Sequence, residues 1–354
     1  MRDLAIAQRR RGHDVAIAFI TTATDFGHSA EFETRFQQDL MAGSVATFEI
    51  GRHARHFPPY GGWRLSRIVR ESRADVLHVH LQTALLFRLA ARPFLPRRMA
   101  VVYTHHTSNL RLGNRIFRLL ARSIDGVVAI SNQTRELLSA QVKVPVALIP
   151  NSVAREVNAE RTGPESDGTF RIISVGRLFP EKDYPTLVET AAAVFRARPE
   201  LAGRLSFSIA GGGPERERIE ALIAERGLER SIHLLGTRTD AYELMKQADL
   251  LLMTSSHEGL SMTLLEALHA KLPIVSTDVG GCSEVVRHGE NGLLAPSGDA
   301  GQLAAHILRI LDDPALAKRF QEASGRLAAD YNMDGSVERH LDFYAQLLRA
   351  KGQR

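Results

Sequence analysis

Short apolar runs alternate with amphipathic helical patterns along almost the whole sequence, and this alternation permits few folds. Five runs in the first half have the length and composition of buried strands: residues 14–21, 76–81, 100–105, 126–131 and 146–150. Helical patterns such as TALLFRLAA and GNRIFRLLAR lie between them. Because strands that are joined through helices pair in parallel, we predict a parallel sheet covered by helices.

A second series of the same kind follows residues 157–168, a polar segment whose Gly, Pro, Asn and Asp residues are typical of a linker. It contains six predicted strands, at residues 170–176, 205–212, 232–236, 250–255, 273–278 and 292–296. A length of 354 residues also suggests two domains. We therefore predict two α/β domains, residues 1–160 and 161–335, with a ligand-binding cleft between them.

The composition narrows the class of protein. Charged residues make up 24% and apolar residues 44% of the chain, as in ordinary globular proteins. The longest uncharged runs have about twelve residues, and a membrane-spanning helix needs roughly 20. The single cysteine, Cys282, excludes an internal disulfide and fits a reducing cytoplasm. Aromatic residues make up 6%, and no recognition motif is present, so nucleic-acid binding is not expected.

Positive charge is concentrated in the first half of the chain. Residues 1–168 carry 23 Lys and Arg against 15 Asp and Glu, whereas the remainder carries 22 against 25. A basic first domain would attract an anionic acceptor or the surface of an anionic membrane. A solvated, arginine-rich surface with no such partner explains the same counts equally well.

The segment GRLFPEKDYPTL (176–187) places two cations directly after a predicted strand. Arg177 and Lys182 are five residues apart, and Pro180 turns the chain between them. Ligands of α/β folds bind at the carboxyl ends of strands, and a guanidinium with an ammonium suits a diphosphate. An ordinary solvated loop is the alternative interpretation.

The segment LLLMTSSHEGLSMTLLEA (250–267) runs from a strand through a turn into a helix. We predict that Ser261 caps this helix and that Glu266 lies in its second turn, where it can accept hydrogen bonds from ligand hydroxyls. Glu258 lies on the loop before the helix. As alternatives, Glu258 is a loop charge and Glu266 a surface residue, because carboxylates eight residues apart are common by chance. The glycine run 211–213 is a weak phosphate-loop signal that a tight turn also explains.

Four histidines follow or end two neighbouring strands of the first domain. They are His78, His80, His105 and His106. We expect them near one edge of the sheet, either as polar catalytic groups or as surface residues. A metal site is not favoured, because no carboxylate or cysteine accompanies them at ligand spacing.

The order and spacing of these motifs resemble glycosyltransferase family 4. The motifs are VGRLFPEKDYPTL, AGGGPE, LLG, EGLSMTLLEAL, STDVGGCSEVV and NGLLAP over residues 170–312, with RRRGHDV, DVLHVH, THHTS, DGVVAISNQT and LIPNSV in the first half. The resemblance implies the GT-B fold, in which two Rossmann-like domains face each other and a C-terminal helix, here 336–354, completes the first domain. It also implies retaining transfer from a nucleoside-diphosphate sugar to a sugar or lipid-linked acceptor, without metal or cofactor. The implied location is the cytoplasm, with peripheral contact at the inner face of the plasma membrane left open.

The resemblance also implies individual roles for residues of this sequence. The donor diphosphate would contact Arg177 and Lys182, the ribose hydroxyls Glu266, and the donor sugar Glu258. The remaining implied donor-site residues are Gly212, Arg238 near the base, and Gly259, Leu260 and Ser261, whose backbone N–H groups would orient the sugar. His106, in the pattern T-x-H, would lie beside the reacting sugar carbon, with His80 and His105 on the acceptor side.

Two departures from the family pattern leave alternatives open. The family usually reads E-G-F-G or E-G-x-P, and this chain reads Glu258–Gly259–Leu260–Ser261. The family also begins with a strand and a glycine-rich loop, whereas this sequence begins with a helical pattern, which we interpret as a late start. The alternatives are therefore a catalytically silent nucleotide-sugar-binding protein and a GT-B nucleotide-sugar epimerase; a phosphorylase would need a pyridoxal cofactor for which no motif is seen.

Overall fold

A computed structural model gives the fold and describes residues 1–22, 30–107, 113–154 and 167–352. The chain forms two compact units. The first unit contains Met1–Ala154 together with Met333–Arg354, and the second contains Arg155–Asn332. The predicted domain boundaries, after residues 160 and 335, lie a few residues beyond these.

Among the described residues up to Ala154, the first unit has six helices and six strands. The helices are α1 (Arg2–Arg10), α2 (Ala30–Ala42), α3 (Pro58–Glu71), α4 (Ala84–Ala91), α5 (Asn114–Ala121) and α6 (Asn132–Ser139). The strands are β1 (Ala16–Phe19), β2 (Ala46–Glu49), β3 (Val76–Val79), β4 (Ala100–His105), β5 (Gly126–Ala129) and β6 (Val146–Leu148). β1 and β2 form a parallel pair, and β3-β4-β5-β6 form a parallel sheet.

In the second unit the structure describes residues 167–332, which form the next seven helices and six strands. The helices are α7 (Tyr184–Ala197), α8 (Arg216–Glu225), α9 (Ala241–Lys246), α10 (Met262–His269), α11 (Cys282–Val285), α12 (Ala300–Asp312) and α13 (Pro314–Leu327). The strands are β7 (Phe170–Val175), β8 (Leu205–Ala210), β9 (Ile232–Gly236), β10 (Leu250–Met253), β11 (Ile274–Thr277) and β12 (Gly292–Ala295). They form one parallel sheet in the order β12-β11-β10-β7-β8-β9.

The last helix, α14 (Met333–Gly352), belongs to the first unit and covers one face of its four-stranded sheet. Phe343 and Leu347 of α14 pack with Val102 and Val128 of the sheet. The helix lies so close that a Cβ on Gly126 would be 2.6 Å from Phe343 Cζ. A side chain at the start of β5 would therefore require Phe343 and Leu347 of α14 to move.

The opposite face of that sheet is covered by α3, α4 and α5. Each contributes buried apolar side chains to one core, for example Leu65, Phe87 and Phe117. The second unit buries its sheet under helices that include α7, α8 and α12, around side chains such as Phe207 and Ile307. Strands of a parallel sheet are buried on both faces and are therefore continuous apolar runs. The apolar runs in the sequence form strands, as predicted. No helix of the described residues is long and apolar enough to cross a membrane.

Candidate functional site

The centre of the second unit's sheet is the point where its strand order reverses. From β7 the chain proceeds outward through β8 and β9, and then returns to place β10, β11 and β12 on the other side. Loops that leave the carboxyl ends of β7 and β10 therefore turn to opposite faces of the sheet and open a crevice. These loops carry residues 176–183 and 254–261, the two segments that the sequence singled out.

A close ion pair joins these two loops. Lys182 Nζ lies 2.5 Å from Glu258 Oε1, and the hydroxyl of Ser255 donates to the same oxygen at 2.8 Å. The Lys182 side chain is 20% exposed and that of Glu258 is 11% exposed. The pair is thus held mostly out of water, where both charges need a partner. The sequence identified Lys182 and Glu258 separately but missed their pairing, and it missed Ser255 altogether.

Arg177, the second predicted phosphate ligand, points to a different carboxylate. Its guanidinium lies 3.8 Å from Glu181 and stacks 4.5 Å from the ring centre of Phe179, with the side chain 59% exposed. A weak pair at this exposure costs little to break. Arg177 and Lys182 therefore share one loop, while in this conformation each contacts its own acid.

Helix α10 begins directly after the Glu258 loop. Ser261 occupies its N-cap position, but the Ser261 side chain makes no capping hydrogen bond, so the predicted hydroxyl cap is wrong. Leu260 and Ser261 are buried, and this burial fixes the loop. The hydroxyl of Thr263 donates to the Val175 carbonyl at 3.0 Å and ties the start of the helix to the end of β7. Glu266 follows one turn later and is partly exposed.

Glycines allow the backbones of this region to approach each other. A Cβ on Gly280, whose φ is +58°, would lie 2.0 Å from the Glu258 carbonyl oxygen, and Gly281 N–H donates to the Gly259 carbonyl at 2.8 Å. A Cβ on Gly211 would lie 1.8 Å from the Gly176 carbonyl oxygen. Gly211 and Gly213 thus let this loop pack closely against the Arg177 loop.

Two other predicted donor-site residues, Gly212 and Arg238, follow β8 and β9. A Cβ on Gly212 would meet Thr237 Oγ1 at 2.5 Å, so this glycine also has a packing role. Arg238 is bound by the carboxylate of Asp240, with nitrogen–oxygen distances of 2.8 and 2.6 Å. The hydrogen bond to Asp240 raises the pKa of Arg238.

In the first unit, His78 connects the sheet to the last helix. Its ring nitrogens lie 2.5 Å from the Tyr344 hydroxyl and 2.6 Å from Thr104 Oγ1. Burial holds the pKa of His78 well below its ordinary value, with further lowering by His340 and His106. The sequence did not indicate Tyr344 or His340 as partners of His78, because helical periodicity does not show what a polar ring faces.

His80 and His106 form the end of this cluster. His80 Nδ1 lies 3.0 Å from His106 Nε2, and the rings of His78 and His80 stack with centres 4.2 Å apart. Desolvation lowers the pKa of His106 to about 4, with smaller contributions from the N-terminal ammonium group and His105. Since the pKa of His80 is also lowered by burial, both rings are neutral at pH 7. One ring must then donate its N–H to the other.

His105 does not join these histidines. It is 1% exposed, its Nδ1 lies 2.9 Å from the Tyr103 hydroxyl, and its ring contacts Phe117 in the core under α5. Side chains of successive strand residues point to opposite faces of a sheet, so His105 and its predicted partners separate. The expected acceptor-side position of His105 is wrong in this conformation.

The described residues contain no group of three or more His, Cys, Asp or Glu side chains that could hold a metal ion. The histidine cluster is therefore a hydrogen-bonded network of rings. Cys282 is fully buried, and burial raises the pKa of its thiol to about 12. It is not poised as a nucleophile.

Sequence models of two known families match the chain in succession. The model described as Glycosyltransferase Family 4 matches residues 1–157. The model described as Glycosyl transferases group 1 matches residues 157–326. The junction falls at the boundary between the two units.

Individual relatives and structures agree with these matches. An exopolysaccharide phosphotransferase of Streptomyces coelicolor is 32% identical over 75% of this chain, although the chain spans 28% of that protein's length. A lipopolysaccharide core biosynthesis glycosyltransferase of Rhizobium meliloti is 28% identical over 80% of this chain and 78% of its own length. The crystal structure of Anabaena HepE in complex with UDP covers 98% of this chain and 94% of HepE, with a TM-score of 0.78 and 19% identity, which establishes the fold.

Proposed function

Because the chain belongs to glycosyltransferase family 4, with the model of that family and the model of glycosyl transferases group 1 together matching residues 1–326, we propose that it transfers a sugar from a nucleoside-diphosphate sugar to an acceptor hydroxyl. The pairing of Lys182 with Glu258 at the switch point of the six-stranded sheet carries this proposal. α/β sheets bind ligands at that point. A nucleoside-diphosphate sugar has two chemically distinct parts, phosphate oxygens and sugar hydroxyls. Lys182 can bind the phosphate oxygens, and the neighbouring Glu258 carboxylate can accept hydrogen bonds from the hydroxyls.

Donor binding exchanges partners within this pair. Lys182 turns from Glu258 to the diphosphate, and Arg177 leaves Glu181 to join it, since its present contact is long and exposed. The freed Glu258 carboxylate then accepts hydrogen bonds from the donor sugar, and Glu266 accepts them from the ribose. Two cations on the leaving diphosphate provide the charge stabilisation that a metal ion provides in other transferases.

The reaction proceeds with retention, by attack of the acceptor hydroxyl on the face that the leaving group vacates. His106 orients the donor sugar beside the reacting carbon, in the role that family resemblance gives it. Its lowered pKa supports this role, because a neutral ring adds no positive charge near a developing oxocarbenium ion. His80, at 3.0 Å, holds the ring of His106 in place.

The acceptor belongs to cell-envelope polysaccharide or glycolipid synthesis. This part of the proposal is supported by the names of two relatives, an exopolysaccharide phosphotransferase and a lipopolysaccharide core biosynthesis glycosyltransferase. Nucleotide sugars are made in the cytoplasm, so the proposed location is the cytoplasm, with peripheral contact at the inner membrane face. The basic first half of the chain is consistent with an anionic surface nearby.

Release of nucleoside diphosphate from a panel of UDP-, GDP- and ADP-sugars tests the proposal. Slow transfer to water gives a signal before the acceptor is known. Glu258→Gln and His106→Ala should each lower kcat by about 100-fold or more. Glu290→Gln and His53→Ala, at exposed positions of the same two units, are matched controls and should retain activity.

Tight donor binding with no turnover by the wild-type chain would contradict a transferase and identify a catalytically silent donor-binding protein. Turnover that survives Glu258→Gln would show that the reaction occurs elsewhere on the molecule.

A further inference from the structure

One long stretch of the first unit contains arginines and no acidic residue. Between Asp75 and Asp125 the sequence has eight arginines and no lysine, aspartate or glutamate. Protein surfaces usually mix both signs of charge. An uncompensated block of this length attracts an anionic partner.

Six of these arginines are exposed on α5, next to it, or in the segment that follows α4: Arg92, Arg97, Arg98, Arg115, Arg118 and Arg122. None of the six forms an ion pair with a carboxylate in the part of the chain that the structure describes. In the second unit, by comparison, the exposed Arg226 pairs with Glu189 and the exposed Arg238 pairs with Asp240. The positive charge of α5 and of the segment after α4 is therefore available to a partner outside the chain.

Large apolar side chains are exposed among these arginines. The exposed fractions are 38% for Leu89, 60% for Phe94, 51% for Ile116 and 56% for Leu119. On α5, Phe117 faces the core while Ile116 and Leu119 face outward, so the helix has apolar residues on both sides. Exposed apolar side chains are typical of a contact surface when they lie together and are rimmed by polar residues.

These side chains share one side of the unit. α3 packs against α4, and α4 against α5, and all three cover the same face of the sheet, opposite α14. The outward residues of α4 and α5 therefore lie on one side of the unit. We call Leu89, Arg115, Ile116, Arg118 and Leu119 of these helices, with Arg92, Phe94 and Arg122 directly after them, the α4–α5 surface.

We infer that the α4–α5 surface docks on an anionic lipid bilayer. Arginine guanidinium groups would contact the headgroup phosphates, and the four apolar side chains would enter the interface below them. A soluble polyanion would engage the arginines but would leave Ile116, Leu119 and Phe94 in water. The inference rests on the membrane contact in the proposed function and identifies the residues that make it.

Co-sedimentation of the full chain with vesicles tests this surface without any nucleotide sugar. The vesicles are phosphatidylcholine, alone or with one third phosphatidylglycerol. Arg115→Gln with Arg118→Gln should weaken partitioning into the anionic vesicles roughly 25-fold, at about fivefold per arginine. The control Arg230→Gln with Arg319→Gln removes the same charge from exposed positions of the second unit and should remain within about twofold of wild type.

A third variant separates the bilayer from other anions. Ile116→Ser with Leu119→Ser keeps every charge and should weaken partitioning about tenfold or more, because both side chains lose their apolar contact with the interface. Both residues are exposed, so thermal unfolding of the variant should match wild type.

Equal losses in the first-unit and second-unit arginine variants would overturn the inference, because they would reveal a net-charge effect. Loss in the arginine variant with unchanged binding of the serine variant would also overturn it and indicate a polyanion site. Nucleoside diphosphate release by the same preparations is read separately. A failure of docking alone therefore leaves the transferase proposal standing, and a failure of turnover alone leaves the docking surface standing.

Discussion

Replacing Gly280 by alanine should displace the loop that carries Glu258. The new Cβ would lie 2.0 Å from the Glu258 carbonyl oxygen, whereas real Cβ contacts are essentially never under 3.0 Å, so the loop must shift by about 1 Å. The φ of +58° adds roughly 1–2 kcal/mol of backbone strain. Gly227 supplies the matched control, because its φ is +65° and a Cβ there has no atom within 4 Å.

The assay compares Gly280→Ala and Gly227→Ala for nucleoside diphosphate release and for thermal unfolding. Both variants carry similar strain, but a 1 Å displacement of an aligned group costs on the order of 100-fold in rate. We therefore expect kcat/KM to fall about 100-fold in Gly280→Ala and to change little in Gly227→Ala. Equal activity of the two variants, at equal folded fraction, would refute the assignment of Glu258 to the reacting site.

Two further predictions concern stability. Glu258→Gln leaves the ammonium of Lys182 without its partner and should lower the free energy of unfolding by roughly 2 kcal/mol. Nucleoside diphosphate should then raise the melting temperature of the variant more than that of wild type, because no ion pair has to be broken; an equal rise would contradict the partner exchange. His340 is buried, and burial lowers its pKa to about 4. Between pH 6.5 and 4 the unfolded chain therefore binds more protons than the folded chain, and the free energy of unfolding falls as the pH is lowered. Lowering the pH from 7 to 5 should reduce the free energy of unfolding, measured by chemical denaturation, by about 2 kcal/mol through this one group. An equally steep loss in His340→Gln would exclude His340 as the cause.

Most strands were predictable because buried parallel strands are continuous apolar runs bounded by polar turns. The runs at 100–105 and 232–236 coincide with β4 and β9. β2 (Ala46–Glu49) was missed, since three of its four residues are exposed and the fourth is partly exposed, which leaves no apolar pattern to read. The apolar pattern of a strand reflects its burial, and an exposed edge strand has few buried residues and so little pattern.

The site was predictable in position but not in pairing. The carboxyl ends of β7 and β10 follow from the strand pattern, which brought Lys182 and Glu258 to one region. Their contact joins residues 76 apart in sequence, and no local pattern indicates which acid a lysine will meet. His105 was misplaced for a related reason, because adjacent histidines at a strand end were treated as one group although their side chains point to opposite faces.

Titration of nucleoside diphosphates into the purified chain tests the donor site most directly. The wild type should bind at least one of them, and Arg177→Ala with Lys182→Ala should lose about 100-fold in affinity, because each cation contributes a charge-assisted contact of roughly 1.5 kcal/mol or more. Arg230→Ala with Arg319→Ala removes the same charge from the same unit and should bind as wild type does. Unchanged affinity in the Arg177 and Lys182 double variant would contradict the account.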